Sequence, residues 1–520
     1  MLSPTAPANA ISPRDNDLYH QGMVFLTDKR YAEALKQFKE LERIAPHSPE
    51  GYTGEGIALA LIGKPEEATA ALCRAVAIDP RYWVARRELG IIDWQLQRRE
   101  EAAAELLLVI QAVPEDRPIS AILGEYYFEK KRYSDAARFF TKAGTQLSAN
   151  HRLILMASAA LIRCGNSKQG LEQLDRLNAP SKLEPQEQFQ MAWLLGEAQA
   201  YSQAIHMFQT LPPDFADAVG RDYGLALAYY ENGQYLNCIQ LLRTLRDRGV
   251  DRADIVSLLG AAEDADGEAR LAYEIFRDGM RRFPRDDDNY LNAATVAVQS
   301  RDYATAAQVL TSGIDQIPQD YKLFLVRGVV NTLSGDLKTA ESDYKTAVSL
   351  APDQSSTYVA LGICFMDQGR DNPAANILRQ GINKGMVDVR LNYYLVDALF
   401  KQGFTAESPL YREATIAVNA GIQADPEFAY GYLQRARLQR MTGRVQDAIE
   451  DLEHAQKLEP NSTAILYQLA REYRSAGRTA DANRVSSRVS EIVNQHVEDD
   501  RHSTLMSLMG SAGAAKFAEK

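Results

Sequence analysis

Residues 49–82 read PEGYTGEGIALALIGKPEEATAALCRAVAIDPRY. Ile57, Leu59, Ala60 and Ile62 sit at helical spacing, and Gly63-Lys64-Pro65 then breaks the chain. A second helical run carries Ala68, Leu72, Ala75 and Ile78 before Asp79-Pro80 ends it. The pattern predicts two short helices joined by a tight turn. Outward from Ala68, every thirty-fourth residue is small: Ala34, Ala68, Ala102, Ala136, Gly170, Ala204, Cys238, Ala272, Ala306, Ala340 and Ala374. After one break the ladder resumes as Ala414, Ala448 and Ala482. A fixed period of this length is the mark of a stacked-repeat solenoid.

Two more ladders keep the period. Gly22, Gly56, Gly90 and Gly124 each precede a ladder alanine by twelve residues, and Pro46, Pro80, Pro114, Pro284, Pro318 and Pro352 each follow a ladder residue by twelve. The alanine is expected where the second helix crosses the first, and the glycine permits the same close approach from the first helix. The proline cannot continue a helix and sets the corner between units.

These positions resemble the tetratricopeptide repeat family, whose consensus combines W-x2-L-G-x2-Y, A-x3-F and a late proline over thirty-four residues. Leu123-Gly124-x2-Tyr127 with Ala136-x3-Phe140 matches it, as does Ala272-x3-Phe276 with Pro284. The resemblance covers nearly the whole chain. It implies an all-α, right-handed superhelical solenoid of about fourteen antiparallel helix pairs. Eleven units in one frame fill 15–388, a twelfth with six inserted residues fills 389–428, and two more fill 429–496. Residues 1–14 are expected to be a disordered start and 497–520 a cap or tail. The six extra residues fall between Phe404 and Glu413 and are expected to lengthen a turn, either as a functional loop or as a tolerated insertion. The fifth unit has Ser158 and Gly170 in place of the usual Gly and Ala, and it runs into Asn178-Ala179-Pro180-Ser181, the expected soft joint. The second helix of the last unit stays polar over Asn483–Glu491, as a solubilising cap requires. Leu505, Met506, Leu508 and Met509 suggest either an appended amphipathic helix or a frayed end.

The 520 residues are 46% hydrophobic and 24% charged, with a net charge of -11. That balance argues against a general nucleic-acid or anionic-membrane binder. No apolar run approaches the roughly 18 residues that span a bilayer. Ala8-Asn9-Ala10 resembles a cleavage triplet, but no charged and apolar stretch precedes it, so no signal peptide is expected in the sequence as given. Cys73, Cys164, Cys238 and Cys364 lie far apart on helical stretches and are expected to be buried small hydrophobes. Metalloprotease, hydrolase-elbow and phosphate-loop motifs are absent, and the repeats leave no room for a catalytic domain. No enzyme, cofactor or metal is expected.

In the family, unit positions 2, 5, 9, 12 and 13 face a concave groove. Spacing alone puts 2, 5, 9 and 12 on one helix face. Read this way, the early units present aromatic and apolar residues: Tyr19, Met23, Ile57, Trp94, Phe128, Phe189, Trp193, Tyr223 and Tyr230. They suit apolar peptide side chains, or else they pack as core. The middle units present Asp254, Asp264 and Asp288, either a charged site or a solvated face. The last units present Arg437 and Arg440, then Arg471 and Arg474 thirty-four residues on, with Arg390 and Lys401 one unit earlier. Arginine forks bind carboxylate or phosphate, so this lattice is the candidate site for an acidic segment. The competing reading is internal pairing, for instance with Asp397.

The family's carboxylate clamp would need Lys and Asn where the first units have Tyr19, Met23 and Gly54, so a cochaperone role is not supported. A single-stranded nucleic-acid code is disfavoured by variable groove positions and negative charge. The expectation is a non-enzymatic scaffold, cytoplasmic, binding protein or peptide partners. The alternative is a non-catalytic arm of a cell-envelope or exopolysaccharide assembly machine, periplasmic or envelope-associated if the given start lacks a signal peptide. Nothing in the sequence fixes the oligomeric state.

Overall fold

The computed structural model describes residues 13–147, 150–177, 183–493 and 500–513. Among these residues there are helices and no strands. The helices form fourteen consecutive pairs, numbered 1–14 below, followed by one further helix, Asp500–Gly513. First helices run, for example, over Pro49–Leu61, Trp83–Gln95, Tyr321–Ser334 and Ser355–Asp367. Their second helices run over Pro65–Ile78, Arg99–Ala112, Leu337–Leu350 and Asp371–Asn383.

All the small ladder residues outside pair 5, from Ala34 through Cys238 to Ala482, are completely buried. A Cβ on Gly56 would lie 2.6 Å from Leu72 and 3.2 Å from the Ala68 carbonyl oxygen. One on Gly124 would lie 2.6 Å from Phe140. Glycine and alanine therefore face each other across one crossing point, and the core residue four places after the alanine fills the space the glycine leaves. In pair 5 the roles are exchanged. Ser158 occupies the glycine position, and a Cβ on Gly170 would lie 2.5 Å from Ile162 and 3.1 Å from the Ser158 carbonyl.

The turn inside each pair carries a further ladder that the sequence reading missed. Lys29, Gly63, Gln97, Lys131, Gly165, Gln199, Gly233, Gly267, Arg301, Gly335, Gly369, Gly403, Gly443 and Gly477 all have positive φ. One left-handed residue per turn reverses the chain. Its signal was present as recurring glycine, hidden where Lys, Gln or Arg substitutes.

The chain divides into two compact units, meeting between Asn232 and Gly233 in the turn of pair 7. Within each, successive first helices touch one another, as Asp288–Gln299 touches Tyr321–Ser334 and that touches Ser355–Asp367. The second helices stand further apart. First helices therefore line the inner face of each stack. In the second unit one apolar cluster runs from Ala272 to Met509, and pairs 13 and 14 share a separate one built on Leu433, Leu452, Leu466 and Leu469.

Several expectations need correction. Only Cys238 and Cys364 are buried. Cys73 is exposed, and Cys164 is half-buried at a helix C-terminus. The inserted residues of pair 12 lengthen the turn between Val389–Gln402 and Pro409–Ala424, but they also extend the second helix, which Ser408 caps through the Leu410 amide. Phe404 in that turn stacks on Phe400 at 5.2 Å. The first helix begins at Pro13, inside the stretch expected to be disordered; residues 1–12 lie outside the described residues. So do 178–182, which hold the expected soft joint, and 494–499 and 514–520 of the expected cap and tail. No helix among the described residues is long and apolar enough to cross a membrane.

Candidate functional site

The inner faces of the two stacks are the candidate interaction surfaces. In the first unit most of the expected aromatic residues are engaged by neighbours. The Arg99 guanidinium lies 3.6 Å from the Trp94 ring centre and also reaches Glu129 at 3.5 Å. Phe128 meets Tyr133 at 5.5 Å. Arg163, beside it, is forked onto Glu197 with both bonds at 2.9 Å. Phe189 and Trp193 form one aromatic cluster with Phe208 and Phe215. Tyr223 is buried and Tyr230 is half-buried. Packing accounts for these side chains, because a ring on a first helix reaches the second helix of its own or an adjacent pair.

The middle acidic residues do not form one site. Asp254 pairs with Arg252, and Asp264 accepts from Gln299 at 3.4 Å. Asp288 lies in a knot with Asp286, Asp287 and Asp320, held by Lys322, whose Nζ is 2.9 Å from Asp287. Burial first, then the charges of Asp287 and Asp286, push the Asp288 carboxyl up to about 6. Among the described residues no group of His, Cys, Asp and Glu is placed to hold a metal.

The basic lattice is only partly open. Arg390 is forked onto Asp388 at 3.0 and 2.8 Å, and Asp388 also accepts from Ser355. Burial works to raise the Asp388 carboxyl, but the Arg390 fork outweighs it and holds the group below its ordinary range. Arg437 reaches Asp397 at 3.3 Å and lies over the Phe400 ring at 3.9 Å, so the internal pairing foreseen for it is present. Arg440 donates to Glu472 at 2.6 Å; that carboxylate is 2% exposed and its other oxygen is buried without a partner. Arg474 bonds Ser486 at 2.6 Å. Arg471 and Lys401 are exposed and make no side-chain pair among the described residues. Tyr467 is 62% exposed and lies one turn before Arg471 on the same face of Thr463–Ser475. The four arginines thus split into a structural half, Arg437 and Arg440, and an outward half, Arg471 and Arg474.

The inner face of pairs 9–11 holds what the sequence reading did not find. The C-terminal helix Asp500–Gly513 lies across their first helices, Asp288–Gln299, Tyr321–Ser334 and Ser355–Asp367. Leu505, Leu508 and Met509 are buried there, in the same apolar cluster as Leu291, Leu325, Val329, Val359 and Ile363. Near the start of the helix, Thr504 accepts from the Tyr394 hydroxyl of pair 12 at 2.7 Å. The helix therefore runs from pair 12 back toward pair 9. Positions 5 and 9 of pairs 10 and 11 are all apolar, and so is the Leu-Met face of the tail, but the same positions are apolar in pairs 5–7, so the sequence alone does not single out this pairing.

Comparison with known proteins agrees with the repeat reading. The family model described as tetratricopeptide repeat matches residues 87–147, in pairs 3–4, and 291–355, in pairs 9–10 and up to the first residue of pair 11. Superkiller protein 3 of Schizosaccharomyces pombe is 24% identical over 126 residues, which is 24% of this chain and 9% of that protein. This chain therefore spans only a small part of that relative's length. Among solved structures, yeast Tom70 aligns over 97% of this chain and 96% of its own, at 13% identity and a TM-score of 0.40. The APC/C hetero-tetramer Cut9-Hcn1 aligns over 89% of this chain and 97% of its own, at 14% identity and a TM-score of 0.37.

Proposed function

We propose that this chain, a tetratricopeptide-repeat protein, is a non-catalytic scaffold that takes protein or peptide partners on the inner faces of its helix-pair stacks. The observation that carries this reading is the C-terminal helix seated across the first helices of pairs 9–11. That surface already accommodates a helix, and it does so by burying one apolar side-chain row. Crosslinking mass spectrometry in the native host tests it. Partner crosslinks should concentrate on first helices, at residues such as Lys322 and Lys401. Crosslinks spread over the second helices, or no protein partner at all, would overturn it.

A second surface on the same scaffold takes an acidic segment. The supporting observation is the outward row Tyr467, Arg471 and Arg474, an aromatic ring beside two guanidinium groups that hold no carboxylate among the described residues. Arg440 is not part of it, since its side chain balances a buried carboxylate. Binding of a labelled oligoglutamate peptide should weaken with rising salt and fall at least tenfold in Arg471→Ala/Arg474→Ala, with the melting temperature unchanged. Equal binding by the variant removes this surface from the proposal.

A further inference from the structure

Inner-face positions elsewhere in the chain show what stacking by itself requires. At unit position 9 the chain has Glu125 in pair 4, Asp397 in pair 12, Arg437 in pair 13 and Arg471 in pair 14. A charged residue is therefore tolerated at this position in several pairs. In pairs 10 and 11 the same position holds Val329 and Ile363, and position 5 holds Leu325 and Val359. Val329, Ile363 and Val359 are completely buried, and Leu325 is 3% exposed. Apolar residues also fill both positions in pairs 5–7, where Leu227 is completely buried, so the run by itself does not set this face apart. What sets it apart is the tail helix seated across it.

The tail is a weak ligand for so apolar a face. Its fourteen residues, DRHSTLMSLMGSAG, include two glycines and three serines, which are poor helix formers. An isolated helix of this length is marginal in water even with a better sequence. Its order therefore depends on docking, and docking rests chiefly on Leu505, Leu508 and Met509, with Met506 and Ala512 packed at the edge. If the helix left, the inner face of pairs 9–11 would be a contiguous apolar patch, the surface feature that marks interaction sites.

We infer that the inner face of pairs 9–11 is a receptor for an amphipathic helix of a partner protein, and that Asp500–Gly513 is its internal, displaceable occupant. The partner helix carries Leu or Met at i, i+3 and i+4, matching Leu505, Leu508 and Met509, with a hydroxyl residue at i−1 to take the place of Thr504 beside Tyr394. It replaces the glycines and serines of the tail by stronger helix formers, which is why it displaces the tail. This inference rests on the scaffold reading above and deepens it to one site and one class of partner.

The test uses the full-length chain and a fluorescein-labelled peptide of residues 500–513, read by anisotropy. Wild type is compared with a full-length Leu505→Asp/Leu508→Asp chain, whose own tail cannot dock. The peptide should bind the substituted chain at least tenfold more tightly than wild type, and a peptide carrying the same two substitutions should bind neither. Equal affinity for both chains overturns the occupant, and binding to neither overturns the receptor. A substituted chain that loses its helical circular dichroism shows the tail to be an integral part of the fold, which also overturns the inference. So does a doubled mass for wild type in light scattering, the sign of tails exchanged between copies. Amide exchange on wild type gives an independent reading: residues 500–513 should exchange at least tenfold faster than Tyr321–Ser334, and equal protection is the contrary result. A failure here removes this site and this class of partner, whereas the scaffold reading is decided separately by the partner crosslinks over both stacks.

Discussion

The fold is set by a few small side chains. Gly328 shows how little room there is: a Cβ on it would lie 2.5 Å from Tyr344, which is completely buried with its hydroxyl 3.0 Å from Thr332. Gly328→Ala should therefore destabilise the chain by about 1–3 kcal/mol, the usual cost of overpacking a filled core. The opposite sign is expected in the turns. Arg301 is exposed with φ 59°, where a side chain is penalised by about 1–2 kcal/mol. Arg301→Gly should stabilise by about 0.5–1 kcal/mol, after the greater chain entropy of glycine is subtracted. Thermal or urea unfolding of the two variants checks both, and two shifts of the same sign would contradict the assignment.

At the scale of the element, polar side chains lock the pairs. Arg327 is forked onto Asp343 and Arg435 onto Asp451, in each case from a first helix to the second helix of the same pair. Tyr290, Tyr358 and Tyr432 each donate to the carbonyl of the corner proline six residues before them, at 3.2, 3.1 and 3.0 Å. The corner is thus held by a hydrogen bond as well as by the proline ring. Between pairs 1 and 2, two carboxylates face each other. Burial and then the charge of Glu55 push the Glu42 carboxyl up to about 8, and its Oε1 is buried without a partner. The folded chain then keeps a proton that the unfolded chain releases near 4.5. The contribution of Glu42 to stability is therefore complete below that pH, falls as pH rises toward about 8, and is level above. Glu42→Gln should flatten this decline, measured as melting temperature between pH 5 and about pH 9. A wild type whose melting temperature rises with pH through this window, or a variant with an unchanged slope, would count against it.

At the scale of the whole molecule, the repeat pattern was legible in the sequence because packing at each crossing repeats with the chain's own period. Ala34 through Ala482 announce it, and the helices fall where Gly63-Lys64-Pro65 and Asp79-Pro80 mark their ends. The candidate sites were less legible, because a spacing rule gives the face of a helix but not the neighbour that covers it. Trp94, Phe128 and Trp193 could be read either as an aromatic binding surface or as core, and cations and rings from adjacent helices meet them. Arg437 and Arg440 could be read either as free forks or as internally paired, and they hold Asp397 and Glu472. The sequence by itself determined the all-α repeat architecture, the small residues at each crossing and the break before the last two pairs, since these depend on contacts within one period. Only the tertiary structure decided that Asp500–Gly513 returns to the inner face of pairs 9–11, with Thr504 at Tyr394. That contact joins residues 110 apart in the chain, and no local periodicity encodes so distant a pairing.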